Sequence, residues 1–114
     1  MIITSVHQLS DLLNLVHDRW FNVERVTLDK ERKTVVMVLE VSQRQLTKSS
    51  ENGITMLINN AEELTINDTE RVRDYDLNDI TYDVDNSRLL ITGGIPITIE
   101  VKVATLNIEV IVNR

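Results

Sequence analysis

The sequence predicts an α+β domain, mainly antiparallel β. One amino-terminal helix packs on a sheet of seven or eight strands, arranged as a sandwich or open barrel. Three observations carry this reading. The chain is rich in Val, Ile and Thr, the residue types that suit a pleated, half-buried surface, while aromatics make up only 4%. Apolar residues alternate with period two through most of the chain beyond residue 20. Two stretches, RWFNVERVTLDKERKTVVM at 19–37 and RDYDLNDITYDVDNSRLLI at 73–91, align without a gap at a spacing of 54 residues.

At 114 residues, 42% apolar and 26% charged, the chain makes one domain, residues 1–114, with an aliphatic core. Its first element is a helix over 6–18. Ser5-Val6-His7-Gln8 has the form of a capping box, in which the Gln side chain reaches back to the cap amide. Leu9, Leu12, Leu13 and Val16 then recur at helical spacing, with Gln8, Asp11, Asn14 and Asp18 elsewhere. Trp20 and Phe21 follow at the junction with the first strand and anchor the helix to the sheet.

The aligned stretches give a hairpin over 20–41 and another over 75–92. In both, the alternation runs, skips one residue and resumes. Phe21, Val23, Val26 and Leu28 correspond to Tyr75, Leu77, Ile80 and Tyr82. One extra residue would otherwise turn every later side chain to the wrong face, so each strand needs a β-bulge near 23–26 and 77–80. Each bulged strand ends at an Asp, Asp29 or Asp83, before a polar turn. The strand around 34–41 is apolar on successive residues, Val35 to Leu39, and asks for cover on both faces.

Further on, Ser42 to Glu51 reads as a loop or a mobile edge hairpin, and Asn52-Gly53 as a tight turn leading into Ile54, Met56 and Ile58. Leu64 and Ile66 mark a short strand, and Gly93-Gly94 a break before Pro96. Carboxy-terminal strands fill 95–112, with a bend near Ala104-Thr105 where the apolar phase changes.

Chemistry-bearing motifs are sparse. Without cysteine there is no disulfide or thiol chemistry, and three glycines leave no phosphate loop. His7 and His17 have no H-x-x-x-H partner, and His17 and Asp18 as helix neighbours point apart. Asp83-Val84-Asp85-Asn86-Ser87 matches the opening of a calcium loop but lacks its Gly and its final Glu. No catalytic residue, cofactor or metal ligand is expected.

Charge is the remaining signal. The net charge is −6; residues 1–53 balance seven bases against seven acids, so the excess lies in the second half. Its densest carboxylates, Glu62, Glu63, Asp68, Glu70, Asp74, Asp76 and Asp79, are the candidate partner-binding residues, continued by Asp83 and Asp85. Such a surface repels phosphate backbones and attracts a basic protein. The expectation is therefore a non-catalytic interaction or regulatory domain of the inhibitor or immunity type, with no nucleic-acid or membrane partner. It would be a monomer or weak homodimer, cytoplasmic by default. The alternative is a small enzyme or ligand-binding domain using carboxylates, with or without a divalent cation, which requires acids to converge in a cleft.

Overall fold

A computed structural model describes residues 1–47 and 53–113. The chain opens with β1 (Ile2–Ile3), a 3-10 turn (Val6–Gln8) and the helix α1 (Leu9–Val16). β2 (Trp20–Asn22), a 3-10 turn (Val23–Arg25), β3 (Thr27–Asp29) and β4 (Thr34–Leu39) follow, then a third 3-10 segment (Gln43–Thr47). The remainder is strand: β5 (Ile54–Ile58), β6 (Ala61–Asn67), β7 (Asp74–Asp83), β8 (Arg88–Gly93), β9 (Thr98–Val103) and β10 (Ile108–Val112). Two antiparallel sheets result, of order β1-β10-β5-β4-β3 and β2-β7-β8-β9-β6.

The fold is thus mainly antiparallel β with one helix, but the described residues form ten strands rather than seven or eight. One extra strand is β1, whose two residues are too few to show a period. The other arises because 20–29 is split: the expected bulge near 23–26 is a 3-10 turn, capped where the Asn22 side chain accepts from Glu24 N–H at 2.9 Å. That turn lets one stretch serve two sheets, pairing with β7 through 20–22 and with β4 through 27–29. The second break is a true bulge, between Leu77 and Asp79. The Asn52 half of the Asn52-Gly53 turn and the end of the Ser42–Glu51 loop lie outside the described residues.

Alternation builds the core. Val35, Met37 and Leu39 of β4 are fully buried beside Ile58, Met56 and Ile54 of β5. Leu77, Leu89, Ile91, Ile99 and Val101 of the other sheet belong to the same core. Each such side chain contributes about 1.5–3 kcal/mol relative to exposure. The expectation that β4 is covered on both faces is not met: the second sheet covers one, while Val36 and Val38 on the other are only half-buried.

The 54-residue repeat is real in three dimensions. Asp29 Oδ1 accepts from the Glu31 and Arg32 amides at 3.1 and 3.2 Å; Asp83 Oδ1 accepts from those of Asp85 and Asn86 at the same distances. Both turns finish on a left-handed residue, Lys33 at φ 53° and Ser87 at φ 54°. Moreover, Phe21 lies opposite Tyr75 and Met56 opposite Val110, each residue facing its own counterpart one repeat away. An antiparallel pair in that register has a local two-fold axis. The likeness therefore extends to β5 and β10, beyond the aligned stretches.

The helix is shorter than 6–18. Gln8 Oε1 does accept from the Ser5 and Thr4 amides, at 3.2 and 2.8 Å, but the first turn is 3-10. The end comes at Val16 because Asp18 takes φ 65° and its N–H bonds to Leu77 O at 2.9 Å. Leu9, Leu12 and Val16 are buried, whereas Leu13 is half-buried. α1 connects β1, at the edge of one sheet, to β2, at the edge of the other, and packs against β7.

Candidate functional site

The seven candidate carboxylates do not form one surface. Glu62 and Glu63 are exposed at the start of β6, where Lys102 pairs with Glu62 at 3.7 Å and lies opposite Glu63 in the ladder. Asp68 and Glu70 lie beyond the other end of that strand, roughly 17 Å from Glu63 at ~3.4 Å per residue. Asp74 and Asp76 open β7 at this same end: β6 finishes at Asn67 opposite Thr98, just after the 93–97 turn on which Asp76 rests.

Most of these acids have a local occupation. Asp68 Oδ1 accepts from the Arg71 amide at 3.1 Å, which supports a left-handed Arg71. Both oxygens of Asp74 take the Arg73 guanidinium, at 3.0 and 3.1 Å, and this hydrogen-bonded pair raises the Arg73 pKa. Asp76 Oδ1 accepts from the Ile95 amide at 2.8 Å, tying the β8–β9 turn to β7. Asp83 is held below the usual carboxylate range, first by the Asn86 side-chain amide and then by the backbone amides of Asn86 and Asp85. The calcium-loop positions 83–87 are therefore organised as a self-capped turn. Glu63 and Glu70 point into solvent.

Two further groups stand out. His17 and Asp18 do meet, Nδ1 to Oδ2 at 3.1 Å, because the helix has ended and the left-handed Asp18 swings its side chain back. Both are solvent-exposed. Glu40, only 3% exposed, went unnoticed in the sequence; its N–H and C=O bridge to Trp20, and its carboxylate lies against Gly53. Among the described residues no group of three or more His, Cys, Asp or Glu is placed to hold a metal ion.

The concave features differ in kind. A small trough of about 110 Å³ on the outer face of the second sheet is polar, with Arg88 bonded to Glu100 at 3.4 Å across it. A larger groove of about 420 Å³ runs between α1 and the second half of β7. Val6, Leu9 and Leu13 form its helix side, and Ile80 lies on the β7 side next to Asp79. The groove exists because β2 pairs with β7 only through Asp74–Asp76, so the rest of that edge has no strand beside it among the described residues. Nothing in the sequence marked it, since it depends on where a long-range pairing stops.

Fold and site together define a two-sheet antiparallel β domain with one seam-filling helix and a groove at an open strand edge. No family model matches the chain, and neither does a curated protein or a solved structure. No helix among the described residues is long and apolar enough to cross a membrane.

Proposed function

We propose that the protein is a non-catalytic protein-interaction module, of the inhibitor or immunity type, that meets a basic partner. The observation that carries this reading is the gathering of Asp68, Glu70, Asp74 and Asp76 at one end of the second sheet. Their charges outnumber Arg71 and Arg73 there, and the side chains of Asp68, Asp74 and Asp76 are already held by the bonds described above. Carboxylates held in place need little reordering on binding, which lowers the entropic cost of association. Long-range attraction to a cationic surface then speeds encounter and fades with salt.

Capture from an extract of the source cell at low and high salt tests it. A basic protein should be retained at low salt, released at high salt, and lost with Glu70→Lys. Glu70 suits this purpose because its side chain is exposed, whereas reversing Asp76 would also cut the turn it holds. Capture of the same protein by wild type and Glu70→Lys alike would remove the acidic end from the function.

A further inference from the structure

We propose that the groove between α1 and β7 is a docking site for an extended basic peptide segment of a partner, which adds to β7 as a strand. The inference rests on the binding-module reading but not on its acidic end.

The backbone of β7 supplies the first argument. Leu77 turns both its polar groups toward β2: its N–H donates to Arg19 O at 2.8 Å and its C=O accepts from Asp18 N–H at 2.9 Å. The bulge between Leu77 and Asp79 inserts one residue and changes the parity of the strand. Beyond it, Ile80 and Tyr82 therefore direct their N–H and C=O groups to that side, while Thr81 bonds to β8 opposite Leu90. No strand among the described residues occupies the side toward which Ile80 and Tyr82 point.

The second argument is what stands at this edge. The Ile80 amide donates to Asp79 Oδ1 at 2.9 Å, so a carboxylate takes the place that a neighbouring carbonyl would hold. An inward-leaning charge of this kind is a common guard on strand edges. It also sets the chemistry of what can displace it. An incoming carbonyl that takes the Ile80 amide frees the Asp79 carboxylate to accept from a cationic side chain. Among the described residues, Asp79 is the one charged side chain lining a groove otherwise made of Val6, Leu9, Leu13 and Ile80 with the hydroxyl-bearing Ser10, Thr81 and Tyr82. A strand whose alternate side chains are apolar and Lys or Arg satisfies both demands. Main-chain bonds supply affinity, and the groove and Asp79 supply selectivity.

The test uses short random linear peptides displayed on phage and selected on the full chain. Enriched peptides should place an apolar residue two positions from Lys or Arg. A selected peptide should bind about tenfold or more weakly to Leu13→Glu, which puts a charge on the apolar wall. Asp79→Asn should retain binding but lose the preference for a basic residue. N-methylation of alternate peptide amides should abolish binding, a readout that leaves the protein fold untouched. Bound peptide should slow hydrogen exchange at Tyr82. Several results would overturn the proposal: no enrichment, binding indifferent to N-methylation, or affinity unchanged in Leu13→Glu. Self-association through this edge, seen in sedimentation and abolished by Leu13→Glu, would assign it instead to a second copy and also overturn it. Peptide selection needs no natural partner, so its failure leaves the acidic-end reading standing, and failure of the Glu70→Lys experiment leaves the groove standing.

Discussion

Replacing Gly94 with Ala sets a side chain against Asp76. A Cβ at position 94 would overlap Asp76 Oδ2 and lie 3.0 Å from Cγ. The backbone at 94 is not left-handed, so the conflict is with the carboxylate alone. Relief requires the Asp76 side chain to rotate and give up its 2.8 Å bond from the Ile95 amide. A hydrogen bond to a charged acceptor contributes about 1.5–3 kcal/mol, and the lower end applies to a half-buried group. Against this, Gly→Ala reduces the entropy of the unfolded chain and returns about 0.4–1 kcal/mol. Gly94→Ala should therefore cost about 1 kcal/mol. In an Asp76→Ala background the obstruction is gone, and the same change should be neutral or stabilising. Urea denaturation of the four proteins, followed by Trp20 fluorescence, gives the coupling energy, expected near 1.5–2 kcal/mol. Gly93→Ala is the control: its Cβ would meet main-chain oxygens, Ile95 O at 2.5 Å and Asp76 O at 2.8 Å, so Asp76→Ala should not rescue it. Equal costs for Gly94→Ala in both backgrounds would refute the role given to Asp76.

Other perturbations test separate parts of the structure. Tyr75 is fully buried, stacked on Phe21 with ring centroids 6.0 Å apart, and its hydroxyl has no hydrogen-bond partner among the described residues. Tyr75→Phe should accordingly raise stability by about 1 kcal/mol, and a loss of that size in thermal melts would show the hydroxyl to be bonded. Lys33 and Ser87 hold equivalent left-handed positions, so Lys33→Gly and Ser87→Gly should each stabilise by roughly 0.5–1 kcal/mol. Opposite signs at the two sites would mean that the hairpins are alike only in outline. Asp83 has a folded pKa below its ordinary value of 3.8. Its contribution to stability is then complete above the unfolded value and disappears as pH falls through the lower folded one. Asn86→Ala removes the largest cause, so a carboxyl NMR titration should show the Asp83 pKa rising toward 3.8; no movement would contradict the turn geometry.

What the sequence revealed followed from local chemistry. Asp29 and Asp83 announced their turns because an Asp at a strand end readily accepts from the amides two and three residues on, and the skipped residue near 77–80 announced its bulge through parity alone. The bend near Ala104-Thr105 was legible for the same reason: β9 stops at Val103 and β10 resumes at Ile108. What stayed hidden depends on distant partners. β1 is a strand only because β10 lies beside it. The helix stops early because Leu77 O receives the Asp18 amide. Asp76 looked like one more surface charge until the topology brought Ile95 to it. The carboxylates of 62–79 are close in sequence and read as one patch, whereas β6 carries its two ends apart. The groove is the extreme case, being set by the difference in length between β2 and β7.

The open edge of β7 is the feature on which the inferred docking site depends most, and amide hydrogen exchange on the free protein measures it directly. Thr81 and Tyr82 are adjacent in one strand and differ in where their amides point. If the edge is open, the Thr81 amide, bonded across to β8, is protected to near the global stability, while that of Tyr82 exchanges orders of magnitude faster. Equal protection at the two positions would mean that this side of β7 is already covered, and the groove could accept no strand.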